Sequence, residues 1–348
     1  MSTAVVTGGA GFIGTNLTSR LVEDGHRVVV LDSLARPGSE RNLRYLRETY
    51  GRAVRFEHGD VRERETVRRA VASADRVFHL AAQVAVTTSL ADPLADFEVN
   101  LRGTLTLLEE LRRLDDPPFL LFTSTNKVYG SLPDLPLALE DGRWLPADAR
   151  LRAEGLSEER PLDFCTPYGC SKGGADQYVL DYATSYGLPA TVFRMSCIYG
   201  PHQNGTEDQG WVAHFAIRTL NGQPVTVYGD GRQVRDLLFV DDLVEAMQLA
   251  HEHADAVAGR AFNMGGGPRN AVSLLEVLDV IGELHGRPPR LAFAEERAGD
   301  QRYYVADTRR FERATGWKPL VAAREGIEQL VRWLAAEQPA PRLEAVAR

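Results

Sequence analysis

The chain has 348 residues, 44% hydrophobic and 25% charged, enough to bury a large core in one big domain or two interlocked ones. Its net charge of -8 argues against nucleic acid or an anionic membrane as the main partner. Cys165, Cys170 and Cys197 form no C-x-x-C and leave an odd count, no charged and apolar leader precedes the first strand, and no apolar run reaches the length of a membrane span, so a soluble cytoplasmic protein is expected.

In chain order, residues 4–6 read as a strand and 12–23 as a helix, with "GGAGFIG" between them. Gly8, Gly11 and Gly14 let a backbone turn approach a pyrophosphate, and Phe12 and Ile13 open the helix whose first N–H groups favour an anion. A glycine triplet alone is a weak signal. Here it follows a strand, opens a helix, and Asp32 ends the next strand, 28–31. Asp32 suits adenosine ribose hydroxyls and repels a 2′-phosphate, which favours NAD over NADP; Arg36 nearby works against that preference. A third strand, 54–57, leads to Asp60 and Val61, at the expected adenine edge. A fourth, 77–80, leads to the small residues Ala81 and Ala82, where a cofactor backbone would lie close. Asp60 and the two alanines, taken singly, serve structural roles more often than not.

A long helix over 94–114 carries Asn100. The strand 119–122 then opens into "TSTNK", with Thr123, Ser124, Thr125, Asn126 and Lys127. Residues 131–166 lack periodicity and read as an excursion over the sheet edge. A helix over 168–186 and a strand over 190–193 follow. Beyond residue 199 the elements shorten: helices near 211–220, 241–252, 274–285 and 324–335, with a strand at 225–228. Strand–helix alternation with continuous apolar strands predicts an α/β fold, a doubly wound parallel Rossmann sheet, with a smaller mixed lobe. The expected division is an NAD-binding domain of 1–195 that also receives 234–264. A substrate lobe takes 196–233 and 265–337, and 338–348 form a flexible tail.

"TPYGCSKG" sets Tyr168 and Lys172 four residues apart on one helix face. A phenol with a pKa near ~10 is a poor base at neutral pH. An ammonium one turn away and a positive nicotinamide ring would favour the phenolate. On its own such a pair is commonly a surface accident; beside a dinucleotide turn and a strand ending in hydroxyls it is a catalytic candidate. His79 reads as a satisfied core residue, and no Cys/His spacing suits a metal.

With "TGGAGFIG", "VNLRGT", "VRDLLFVDD" and "ATGWKP", the sequence resembles the extended short-chain dehydrogenase/reductases of the nucleotide-sugar epimerase/dehydratase family over nearly its whole length. The resemblance implies bound NAD, Tyr168 as base, Lys172 as its support and Thr125, with Ser124, as hydroxyl partners. Sugar 4,6-dehydratases of this family carry Asp-Glu directly after the catalytic Thr, a pair that eliminates water. Asn126 and Lys127 stand there instead, which excludes dehydration. "STNKVYG", "PLDFCTPYGCSKGGADQY" and "YGPHQNGTEDQGWVAHF" are most similar to the CDP-paratose/CDP-tyvelose 2-epimerases. They imply oxidation at sugar C2, exposure of the other face and return of the hydride. A 4-epimerase or 4-ketoreductase using the same Tyr and Lys is the enzymatic alternative, and an NAD-binding regulator the non-catalytic one.

The resemblance also implies a CDP-hexose diphosphate held by Arg235 and Arg297, with Arg232 and Arg302 as further candidates. Tyr228 would stack on the base, or simply pack. Gln83, Asn126, Lys127, Cys197 and the helix opening Gln209-Gly210-Trp211 would line the sugar pocket, Trp211 equally well anchoring its helix. Cys165 stands where some of these 2-epimerases carry His and Cys197 where many 4-epimerases carry Asn, and such cysteines more often serve as small buried hydrophobes. The family further implies a homodimer through the helices near 94–114 and 168–186.

Overall fold

The structure, a computed structural model, describes residues 2–337; the expected tail from Gln338 lies outside the described residues. β1 (Thr3–Thr7), β2 (Arg27–Asp32), β3 (Val54–His58), β4 (Arg76–His79) and β5 (Phe119–Thr125) form most of the main sheet. After a β6–β7 hairpin (Leu137–Glu140, Arg143–Pro146), β8 (Ala190–Met195) rejoins it. β9 (Cys197–Tyr199), β10 (Val225–Tyr228) and β11 (Val234–Phe239) lie in the smaller lobe, β12 (Ala261–Met264) returns to the main sheet, and β13 (Ala271–Ser273), β14 (Leu291–Ala294) and β15 (Tyr303–Tyr304) complete the lobe.

The main sheet is seven-stranded and parallel, in the order β12-β8-β5-β4-β1-β2-β3. Its strands are continuous apolar runs because both faces are covered. Alternate residues divide between the faces: Ala4, Val6, Val28, Val30 and Leu121 join one core, and Val5, Val29, Leu31, Leu120 and Phe122 the other. In the smaller lobe β11 is central, paired with β9, β13 and β15. Helices Trp211–Leu220, Leu274–His285 and Ala323–Glu337 pack there through Phe215, Leu278 and Leu330. Ser273 and Glu276 close a capping box that fixes where the second of these begins.

Four segments differ from the sequence expectation. β5 runs on to Thr125, so the hydroxyls lie within the strand, in register with Phe193, Arg194 and Met195; β-branched threonine tolerates this. The long helix over 94–114 is broken into Pro93–Phe97, a π-helical turn Glu98–Arg102, and Gly103–Leu111. Hydrophobic periodicity does not register one inserted residue. The excursion 131–166 contains the hairpin and a helix, Ala149–Glu154, capped by Asp148. The returning stretch 234–264 is split: Val234–Phe239 stays in the small sheet and Ala261–Met264 alone enters the large one. Helices Ser39–Tyr50 and Arg64–Val71, absent from the sequence reading, cover the sheet between its strands.

Candidate active site

The glycine turn sits where β1 meets its helix. Gly8 has φ +69°, and a Cβ on it would stand 2.8 Å from the Ala81 backbone nitrogen, so the fourth strand's end presses directly on this turn. At Gly14 a Cβ would lie 2.3 Å from the Gly8 carbonyl oxygen. The helix Phe12–Glu23 begins at Gly11 without a side-chain cap, leaving its first N–H groups for an anionic ligand. Asp32 accepts from Ala10 N–H at 3.0 Å and Leu34 N–H at 2.8 Å, and a carboxylate has further lone pairs for ribose hydroxyls. These features fit a dinucleotide.

Other expected cofactor residues are placed less directly. Asp60 is engaged by Arg62 at 2.7 Å, and Val61 is a core residue. Arg36 does not pair with Asp32; it crosses the cleft and donates to Gln209 at 3.0 Å, close enough for its charge to act on Tyr168. Ala81 N–H donates to Thr7 Oγ1, with Ala82 next along. His79 is buried between Thr7 and Thr104 hydroxyls, and burial with the Lys172 charge holds it down to about 3, a neutral core residue.

Tyr168 and Lys172 lie in the first turns of the helix Thr166–Tyr186. Burial pushes Tyr168 up to about 12, with a hydrogen bond from Thr125 opposing. Lys172 follows one turn later on the same helix. Its ammonium sits 4.2 Å above the Phe122 ring, lowered to about 7 by burial against the pull of Asp176 and Asp96. By strand alternation Ser124 shares the face of Phe122, and its hydroxyl is buried without a hydrogen-bond partner among the described residues.

Beneath this pair lies a network that sequence reasoning missed. Asp96, fully buried, accepts from Ser171 and, at 2.8 and 3.1 Å, from Gln83 and Asn100. Asn100, in the π-turn, also receives Gln83 N–H at 2.8 Å and donates to Ser171. Gln83 thus has both amide hydrogens engaged, on Asp96 and the Ala85 carbonyl; it braces the wall rather than presenting its amide nitrogen to the sugar pocket. Ser89 accepts Tyr168 N–H at 3.2 Å.

On the opposite side the smaller lobe reaches in. Asn126 donates to Gln301 at 3.2 Å, and Gln301 donates to the Gly130 carbonyl at 2.7 Å. Lys127 donates to the Gly299 carbonyl at 3.0 Å and lies 3.4 Å from Asp300. Asp300 also binds Arg235 at 2.6 Å. Asp300 and Gln301 are the second omission. A carboxylate between the expected phosphate ligands Arg297 and Arg302 was the signal, since it requires a cation elsewhere.

Arg297 stacks 3.7 Å above the Tyr228 ring and donates to the Glu207 carbonyl at 2.9 Å. Arg302 points elsewhere, toward Glu296 and the Trp144 ring, and Arg232 lies in a turn closed by Asp230, its carbonyl accepting Trp144 N–H. Trp211 donates to Cys197 Sγ at 3.4 Å and packs on Phe215, with Gly210 in a left-handed conformation ahead of it. Burial pushes the Cys165 and Cys197 thiols up, so both are neutral. Among the described residues no cluster suits a metal ion and no helix is long and apolar enough to cross a membrane.

Comparison with known proteins agrees with this geometry. The CDP-paratose 2-epimerase of Salmonella typhi is 40% identical over 95% of this chain and 99% of its own. A dTDP-glucose 4,6-dehydratase of Streptomyces griseus is 34% identical over 94% and 93%. The Thermus thermophilus UDP-glucose 4-epimerase, solved in complex with NAD, superimposes with a TM-score of 0.81 at 35% identity, covering 97% of this chain and all of that one. The NAD dependent epimerase/dehydratase family matches residues 4–265, and the chain belongs to that family.

Proposed function

We propose that this enzyme is a nucleotide-sugar epimerase that inverts C2 of a CDP-linked hexose by transient oxidation. The observation that carries the reading is the end of β5. Thr125 is near enough to the Tyr168 phenol to oppose its upward shift, while the next two residues are an amide and an ammonium tied to the smaller lobe, leaving no carboxyl pair for elimination. The likeness to the Salmonella typhi enzyme supports the regiochemistry and the nucleotide.

In this reading the turn at Gly8–Gly14 and Asp32 hold NAD, which when bound supplies the acceptor and donor of a hydride. Tyr168 takes the proton of the reacting hydroxyl and gives it back. Thr125 hydrogen-bonds the same oxygen as it becomes a carbonyl, and the unpartnered Ser124 hydroxyl is a second donor there. Because burial holds the phenol near 12, Tyr168 works as a base only when bound ligands bring positive charge beside it. Arg235 and Arg297 clamp the diphosphate with planar forks, and Tyr228 stacks near the base.

A homodimer in the cytoplasm belongs to the same proposal. Leu94 is 75% exposed and Phe97 and Tyr178 are 45% and 43% exposed on the helices concerned, apolar surface that a second copy would cover.

The test is a panel of CDP-, UDP-, GDP- and dTDP-hexoses scored by NMR for the inverted carbon. Inversion at C2 of a CDP-sugar is expected. Inversion at C4, or net reduction, would favour the 4-epimerase or 4-ketoreductase, and no turnover with NAD bound would favour a regulator.

A further inference from the structure

Lysine is rare in this chain: Lys127, Lys172 and Lys318 are its only three, among 40 lysines and arginines. Two of them are in the site, Lys172 only 3% exposed and the Lys127 side chain 18%. Where charge alone is needed arginine suffices and never loses its proton; a buried lysine can lose one. Lys127 therefore has two possible chemistries, an ammonium or an amine.

Four elements face its nitrogen. Asp300 comes from the loop before β15, Arg235 from β11, Cys197 from β9 and Cys165 from the segment preceding the Thr166–Tyr186 helix. Arg235 is fixed positive and both thiols are neutral, so Asp300 is the one anion among them. Burial drives Lys127 below the ordinary ammonium range, and Asp300 opposes this. Asp300, although burial resists its ionisation, is held to about 2 by Arg235 and Lys127. It is a carboxylate at any working pH.

We propose that Asp300 is a positioning residue that keeps Lys127 an ammonium, so that the wall beside the oxidised sugar carries no base. The inference rests on the redox reading above. A carbonyl at a ring carbon acidifies the C–H bonds on both neighbouring carbons. A free amine two residues past Thr125 would take such a proton: the C–H bond breaks, its electron pair moves onto the carbonyl oxygen as an enolate, and an N–H bond forms. Reprotonation would then bring solvent hydrogen into a carbon that the epimerisation leaves alone. An ammonium has no lone pair and cannot start this. Asn126, an amide whose nitrogen is already bonded to Gln301, is no base either. The smaller lobe thus keeps both positions inert, one by hydrogen bonding and one by charge.

The test uses the holoenzyme with CDP-paratose in D2O, and 13C-lysine labelling, which yields one side-chain resonance set for each of the three lysines. In Asp300→Asn, Lys127 should titrate about one pH unit or more below its wild-type midpoint, with the Lys318 signal unmoved as a check on folding. Deuterium should enter the carbons flanking the oxidised one during turnover, and be at background in wild type. Asp300→Asn combined with Lys127→Arg should abolish that deuterium, and Asp300→Glu should restore the wild-type titration. An unmoved Lys127 midpoint in Asp300→Asn, or turnover by that variant without deuterium, would overturn the inference. Failure of the wild type to epimerise CDP-paratose would instead defeat the functional reading, and the lysine titration would still decide the role of Asp300.

Discussion

Tyr168 stands between two polar clusters of opposite character. On one side Asp96, Asn100, Gln83 and Ser171 are fully bonded to one another within a single lobe. On the other, Lys127, Asp300 and Arg235 are charged and come from both lobes. The first cluster has one charge and no spare donors aimed at a ligand, so it serves to fix where Tyr168 and Lys172 stand. The second is held by ion pairs that join the two lobes. In the proposed mechanism position is set by one wall, and chemical selectivity by the other.

The largest expected effect falls at the junction. Tyr168→Phe should lower turnover by roughly 10²–10⁴-fold, the usual range for a general base, while acid-released NAD from the purified variant stays at wild-type level. Retained turnover would remove Tyr168 from its role. Next, the two walls should separate by readout. Asp96→Ala strips three donors of their acceptor and should cost about 3 kcal/mol of stability in denaturant melts. Arg235→Lys should barely move those melts but raise KM about tenfold, since lysine lacks the fork; equal stability losses would erase the distinction.

The last readout is a pH slope. Lys172 lies at about 7 when folded and near ~10.4 in an unfolded chain. Between those values the unfolded chain holds a proton that the folded one has released, so stability rises with pH there, by at most about 1.4 kcal/mol per pH unit. Lys172→Met should flatten that rise in melts taken from about pH 7 to 10. An unchanged slope would mean that the surrounding carboxylates keep Lys172 charged.

What the sequence made legible was what is local. Gly8, Gly14 and Asp32 follow one another within one strand–helix–strand unit, and Tyr168 and Lys172 share one helix face. Strand positions such as Val225–Tyr228 and helix positions such as Leu274–His285 came from periodicity and agree with the structure to the residue. The rest depends on contacts distant in sequence. Asn126 meets Gln301 and Lys127 meets Asp300 across more than 170 residues. No spacing rule joins them. Gln83 and Arg302 have the right chemistry for substrate contact, but packing turned them to Asp96 and Glu296. The setting of Asn100 depended on a π-turn that the spacing of apolar residues does not reveal.

The late return of β12 has a consequence for the order in which the protein is made. β8 pairs with β5 on one side and only with Ala261–Met264 on the other. Until the ribosome has released those residues, a nascent chain presents β8, with its wholly buried Val192 and Phe193, as an open sheet edge. Such an edge invites pairing with other chains. The interval between residues 195 and 261, which forms the first part of the smaller lobe, is thus the stretch of synthesis during which that edge lies open.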